Sequence, residues 1–170
     1  LCDGAAIEAL RLIGKYLVTS VEEPENLEAR GGMLVGSCLA GISFLKGLGF
    51  VHAISHMVGA EYDTQHGLTN AIVLPVVLRY NLPFLDKKRH HMAYALGMLD
   101  NTSDGFIREI EAKLDRLNIP NSLAEIDVPF DCASRIAEKA MLDSAASTNP
   151  VKADISILKN LVEQSIKEAR

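Results

Sequence analysis

Cysteine is scarce in this chain. Cys2, Cys38 and Cys132 are odd in number, lie far apart and never form a CxxC pair. Neither a zinc ribbon nor a disulfide framework can be built from them. The expectation is reduced, packed thiols in a cytoplasmic protein, with Cys38 inside a buried helix. Positive charge is also short, with 17 Lys and Arg against 22 Asp and Glu, a net −5, and no basic stripe. Nucleic acid is therefore not an expected partner. A long uncharged run, Gly31 to Leu45, is closed by Lys46. It falls short of the roughly 18 apolar residues that a membrane span requires, so no membrane partner is expected. The run reads instead as a helix buried on all sides. No signal peptide, internal repeat or low-complexity linker is visible. No segment sustains the apolar–polar alternation of a half-buried strand.

What remains is an ordinary globular composition, 48% apolar and 23% charged over 170 residues, long enough for one domain with a real core. Asp3 reads as the cap of a first helix carrying Ile7, Leu10, Ile13 and Leu17, with a loop over Thr19 to Glu23. A second helix is expected from about Pro24 to Leu48, its glycines (31, 32, 36 and 41) serving close packing. Gly47-Leu48-Gly49 breaks it, and a short helix follows to about Tyr62. Asp63 to Gly67 reads as a loop. Leu68 to Tyr80, with Pro75 inside, is a kinked helix or a helix after an extended start. Further helices are expected over Asp86–Met98, from a Ser103 or Asp104 cap to Leu117, from Asp131 to about Ser144, and from an Asp154 cap to Ala169. The reading is all-α, seven or eight helices, one domain spanning residues 1–170. The first residue is Leu1, without a methionine and already inside a predicted helix, as expected of a fragment.

Three of the five histidines fall in "GFVHAISHMVGAEYDTQHGLTNAIVLP", residues 49–75. His52 and His56 are one helical turn apart and project on one face, about 40° from each other. Neutral imidazole is the commonest metal ligand and suits iron, zinc, copper and nickel. The HExxH zinc protease pattern fails, because Ala53 stands where its glutamate would be. By spacing alone the pair is either a metal site or two surface or hydrogen-bonded core histidines. His66, in a polar loop before Gly67, adds a third donor able to fold back on the helix. Glu61 and Asp63 read as capping or solvated groups. A catalytic metal normally has three or more protein ligands and an open position, and this segment offers two or three.

The same segment resembles the histidine-rich signature of the iron-containing alcohol dehydrogenases. "DGAAIEALRLIGKYL", "GMLVGSCLAGISFLKGLGFVH", "LNIPNSLAEIDVP" and "AEKAMLDSAASTNPVKAD" resemble other segments of that family, so the likeness covers essentially the whole chain. It implies the helical C-terminal domain of the dehydroquinate synthase/iron alcohol dehydrogenase type. It also implies one divalent metal, Fe2+ first and Zn2+ second, held by an aspartate and three histidines. His52 and His66 match two of those ligands. His56 matches the family histidine beside the reacting centre and cofactor, assigned to proton transfer or nicotinamide contact. The other two ligands belong to a motif ahead of the counterpart of Leu1, and Asp3 does not replace them. Gln65 departs from the proline or histidine common there.

The resemblance thus implies reversible hydride transfer between a small alcohol or aldehyde and NAD or NADP. The cofactor would be held mainly by an N-terminal dinucleotide-binding domain that this chain lacks, consistent with the absence of a Gly-rich phosphate loop. The chain alone is expected to be inactive, and the intact enzyme to be a homo-oligomer. A freestanding helical interaction or oligomerisation module with structural histidines is the alternative. A di-histidine hydrolase is weaker, for want of carboxylate ligands. His90 and His91 read as a solvated helix face. Asp143, Thr148 and Asn149 read as turn and cap chemistry.

Overall fold

Helix starts in this chain are set largely by side chains that accept the unpaired N–H groups of a first turn. In the computed structural model, which describes residues 1–170, helix α1 covers Cys2–Glu22 with no side-chain cap. Asp3 lies in its first turn and pairs with Lys46 instead of capping, and Thr19 to Glu22 are helical rather than loop. Helix α2 is Leu27–Ser43, capped by Asn26 Oδ1 on the Ala29 N–H at 3.0 Å. A short 3-10 turn, Phe44–Lys46, precedes the Gly47–Gly49 break. Helix α3 is Gly49–Tyr62 and α4 is His66–Asn81. Pro75 sits inside α4, which is helical throughout, without an extended start. Helices α5 (Asp86–Ala95), α6 (Ser103–Arg116), α7 (Ala133–Leu142) and α8 (Ile155–Lys167) complete the set. Thr102, not Ser103 or Asp104, caps α6, and Asp154 caps α8. No β-strand occurs, so the all-α expectation holds.

The helices group into two compact units. Residues 1–46 and 85–117 form one, in which α1 and α2 pair as a hairpin and α5 lies against α1. Gly32 and Gly36 do serve close packing, since a Cβ there would meet the Tyr16 ring at 2.2 Å and Leu12 and Ile13 at 3.2 Å, whereas Gly31 and Gly41 face open space. The expectation that α2 is buried on all sides does not hold. Leu34, Val35 and Ile42 are exposed, and so is Cys38. An apolar run marks a surface that gains by being covered, but not what covers it.

Residues 47–84 and 118–170 form the other unit. Here α3, α4, α7 and α8 surround a core that includes Phe50, Ile54, Val58, Ile72, Val76, Ile136 and Val162. At about 1.5–3 kcal/mol per buried aliphatic or aromatic side chain, this core anchors the helices that carry the histidines. Glu61, rather than pointing inward, ties α3 to α7 through Lys139 at 2.7 Å and Arg135 at 2.9 Å. Hydrogen bonding from Lys139, then from Arg135, holds its carboxyl below the usual range.

Candidate metal centre

Helix α3 has no local cap. Its N-cap residue is Leu48, which offers no side-chain acceptor. The acceptors come from about 100 residues away. Thr148 Oγ1 takes the N–H groups of Leu48 and Gly49 at 3.1 and 3.2 Å, and Asn149 Oδ1 takes that of Phe50 at 3.2 Å. Gly47 makes the approach possible, because a Cβ there would sit 2.2 Å from Thr148 Cβ, and its φ of 100° is one that side chains resist. Buried Asn149 also exchanges hydrogen bonds with buried Asn81 and donates to Val151 O at 2.7 Å. The turn around Asn149 thereby fixes the start of the helix that presents His52 and His56.

The chain reverses in three residues between α3 and α4. Asp63 adopts a left-handed φ of 53°, and Gln65 Oε1 caps α4 on the Leu68 N–H at 2.5 Å. His66 is therefore the first residue of α4, not part of a loop. The three imidazoles come together, with ring centroids 5.8 Å (52–56), 5.3 Å (52–66) and 5.5 Å (56–66) apart. Asn70, one turn after His66, places its Nδ2 at 3.1 Å from His66 Nε2 and 3.4 Å from His52 Nε2. An amide nitrogen only donates, so both Nε2 atoms act as acceptors with lone pairs directed at one point. Buried Ser55 holds the amide by donating to Asn70 Oδ1 at 2.5 Å.

Burial, followed by the proximity of His66 and His56, lowers the pKa of His52 below the ordinary histidine value; a hydrogen bond with the Leu48 backbone offsets part of this. His52 is thus kept neutral, the form a metal needs. His56 has a different partner, its Nδ1 lying 3.0 Å from Asp143 Oδ2. The other oxygen, Asp143 Oδ1, accepts the Ala145 N–H at 2.7 Å. Asp143 therefore does make the turn contact read from the sequence, and a second contact that the sequence did not reveal. His90 and His91 lie on the exposed face of α5, as expected.

Against known proteins, the model of the "Fe-containing alcohol dehydrogenase family, C-terminal" matches residues 1–166. The chain belongs to that family. Among curated members of the Fe-containing alcohol dehydrogenase family, it is 36% identical to 1,3-propanediol dehydrogenase of Citrobacter freundii over 96% of this chain and 44% of the relative. It is 32% identical to NAD-dependent methanol dehydrogenase of Bacillus methanolicus over 96% of this chain and 45% of the relative. A solved 1,3-propanediol oxidoreductase superposes with a TM-score of 0.92 at 34% identity, covering 97% of this chain and 45% of that one. The chain thus spans a little under half the length of these relatives.

The iron in the family's name can be tested against the donors. Two neutral imidazoles with Nε2 lone pairs on a common point suit a first-row divalent cation. No third His, Cys, Asp or Glu joins them to make a site of three. The donors fit in chemistry and fall short in number.

Proposed function

We propose that this chain is the metal-binding C-terminal part of a nicotinamide-dependent alcohol dehydrogenase. His52 and His66 would supply two metal ligands, and His56 would act in proton transfer and in contact with the nicotinamide side. The observation that carries this reading is the shared focus of His52 Nε2 and His66 Nε2 on one atom, Asn70 Nδ2, with His56 stacked 5.5 Å from His66. The remaining ligands and most of the NAD or NADP site would come from polypeptide ahead of Leu1, by analogy with relatives about twice as long.

Oxidising an alcohol removes a hydride from carbon, which the nicotinamide takes, and a proton from oxygen. A bound divalent cation, Fe2+ or Zn2+, would serve as a Lewis acid toward the substrate oxygen. His52 and His66 hold that position from two helices tied by a three-residue turn. His56 stands beside it with one ring nitrogen engaged by Asp143, leaving the other to accept the proton. Phe50 and Ile54 are buried in the core of the same unit.

The test is alanine replacement in the full-length enzyme, with metal content and turnover measured separately. His52→Ala and His66→Ala should lose metal and activity together. His56→Ala should keep its metal and lose about 10²- to 10⁴-fold in kcat. Equal metal loss in all three would overturn the division of roles. The alternative, a freestanding interaction or oligomerisation module, would use an exposed apolar face such as that of α2, with Leu34, Val35 and Ile42. A homo-oligomeric enzyme accommodates both; a purely structural module would leave the histidine variants without effect on metal content.

A further inference from the structure

We infer that Asp143 is the positioning residue for His56, fixing its tautomer and ring orientation. The inference rests on the dehydrogenase reading for its catalytic consequence, but its structural content stands apart from that reading. The Asp143 carboxylate is anchored on both sides. Its Oδ1 is engaged by the Ala145 N–H at 2.7 Å, while its Oδ2 lies 3.0 Å from His56 Nδ1. The backbone around it is also held, with the Ala146 N–H on Asp143 O and the Asp143 N–H on Ala140 O. The side chain is 14% exposed against 36% for His56, so the carboxylate is the better-fixed partner.

An ionised carboxylate only accepts, so the imidazole must donate from Nδ1. Nε2 then carries the lone pair. Water favours the opposite tautomer of free imidazole only weakly, and one charge-assisted hydrogen bond is enough to decide it. The carboxylate also opposes a ring flip, which would bring carbon to Oδ2, and it compensates the positive charge that appears when Nε2 takes a proton. The same segment, Asp143 to Asn149, caps α3 through Thr148 and Asn149. One short turn therefore sets where the histidine helix begins and which way its second histidine faces.

Nitrogen-15 NMR of the histidine side chains tests this directly. In the unsubstituted protein, His56 should show a protonated Nδ1 and an unprotonated Nε2. Asp143→Asn is chosen because the amide oxygen can keep the Ala145 bond while its NH2 faces His56 Nδ1. It should switch His56 to the Nε2–H form and leave the His52 and His66 spectra in place. In the full-length enzyme it should lower kcat about 10- to 100-fold with metal content and KM near their original values. Asp143→Glu, which retains an acceptor, should restore the Nδ1–H form and part of the kcat. An Nε2–H form in the unsubstituted protein overturns the inference without any variant. So does an unchanged tautomer in Asp143→Asn, an unchanged kcat despite the switch, or metal loss in proportion to kcat. Failure of the unsubstituted enzyme to oxidise any alcohol would sink the dehydrogenase reading alone, since the tautomer is read without substrate.

Discussion

His52 and Asp143 show how a side chain's environment sets its chemistry. His52 is pushed toward neutrality first by burial and then by the two imidazoles beside it. Its pKa is lower in the native chain than in the unfolded one, so the native state binds fewer protons. Above the ordinary value of 6.5 both states carry a neutral ring, and His52 has no effect on the pH dependence of stability. As pH falls through 6.5 toward the lowered native value, the unfolded chain gains the proton first and stability drops. Below both values the loss is complete and constant. The metal-free protein should therefore show a lower urea midpoint at pH 5.5 than at pH 7.5, a loss reduced in His52→Gln. Equal losses in the two proteins would assign the acid sensitivity elsewhere. Asn70, on which the two Nε2 atoms converge, is not titratable, and sequence reading aimed at titratable groups passed over it. Its place one turn after His66 was the available signal.

For helices, the informative feature is the remote capping of α3. Asn149→Ala would leave the Phe50 N–H, the Asn81 amide and the Val151 carbonyl without their partner in a buried setting, at a cost of about 2–4 kcal/mol. Gly47→Ala combines a left-handed φ with a collision against Thr148 and should cost about the same. Thr148→Val should cost less, about 1 kcal/mol, because Thr148 is exposed and water can replace it. Chemical denaturation of the three variants checks that order, and a Thr148→Val loss larger than that of Asn149→Ala would contradict it. These elements also show what the sequence could reveal. The HxxxH spacing and the turn before His66 are local, so both the helix and the third donor were readable. The all-helical character was readable too, because no apolar–polar alternation competes with the 3.6-residue period, although Thr19 to Glu22 and His66 read as loop and are helical. Asp143 meets His56 across 87 positions and Asn149 meets Phe50 across 99. No local pattern records such pairings, so a residue read as a turn former held the orientation of a proposed proton acceptor. Two caps, those of α1 and α6, fall elsewhere than residue type suggests. Asp3, Ser103 and Asp104 are all plausible caps by type, and only geometry selects Thr102 or rejects Asp3.

For the whole molecule the limiting quantity is the number of donors. A complete structural site of four ligands gives apparent binding free energies of about 10–16 kcal/mol for zinc in small peptides. This chain focuses two imidazoles on one point, and although His56 stacks beside them, no group of three His, Cys, Asp or Glu is placed to hold one ion. If each donor contributes comparably, two supply about 5–8 kcal/mol, a dissociation constant of about 1 µM to 0.2 mM. Neutral Nε2 atoms already held together by Asn70 favour the tighter end, and displacing that amide favours the weaker. Isothermal titration of the 170-residue chain with Zn2+, and with Fe2+ under anaerobic conditions, should give weak binding that His52→Ala and His66→Ala each abolish and His56→Ala leaves in place. Binding should weaken as acid protonates the imidazoles, because a proton and a cation compete for the same lone pair. Nanomolar, one-to-one binding by this chain would mean that it holds a complete ligand set of its own. The two-histidine half-site, and the need for donors from outside this chain, would then be wrong together.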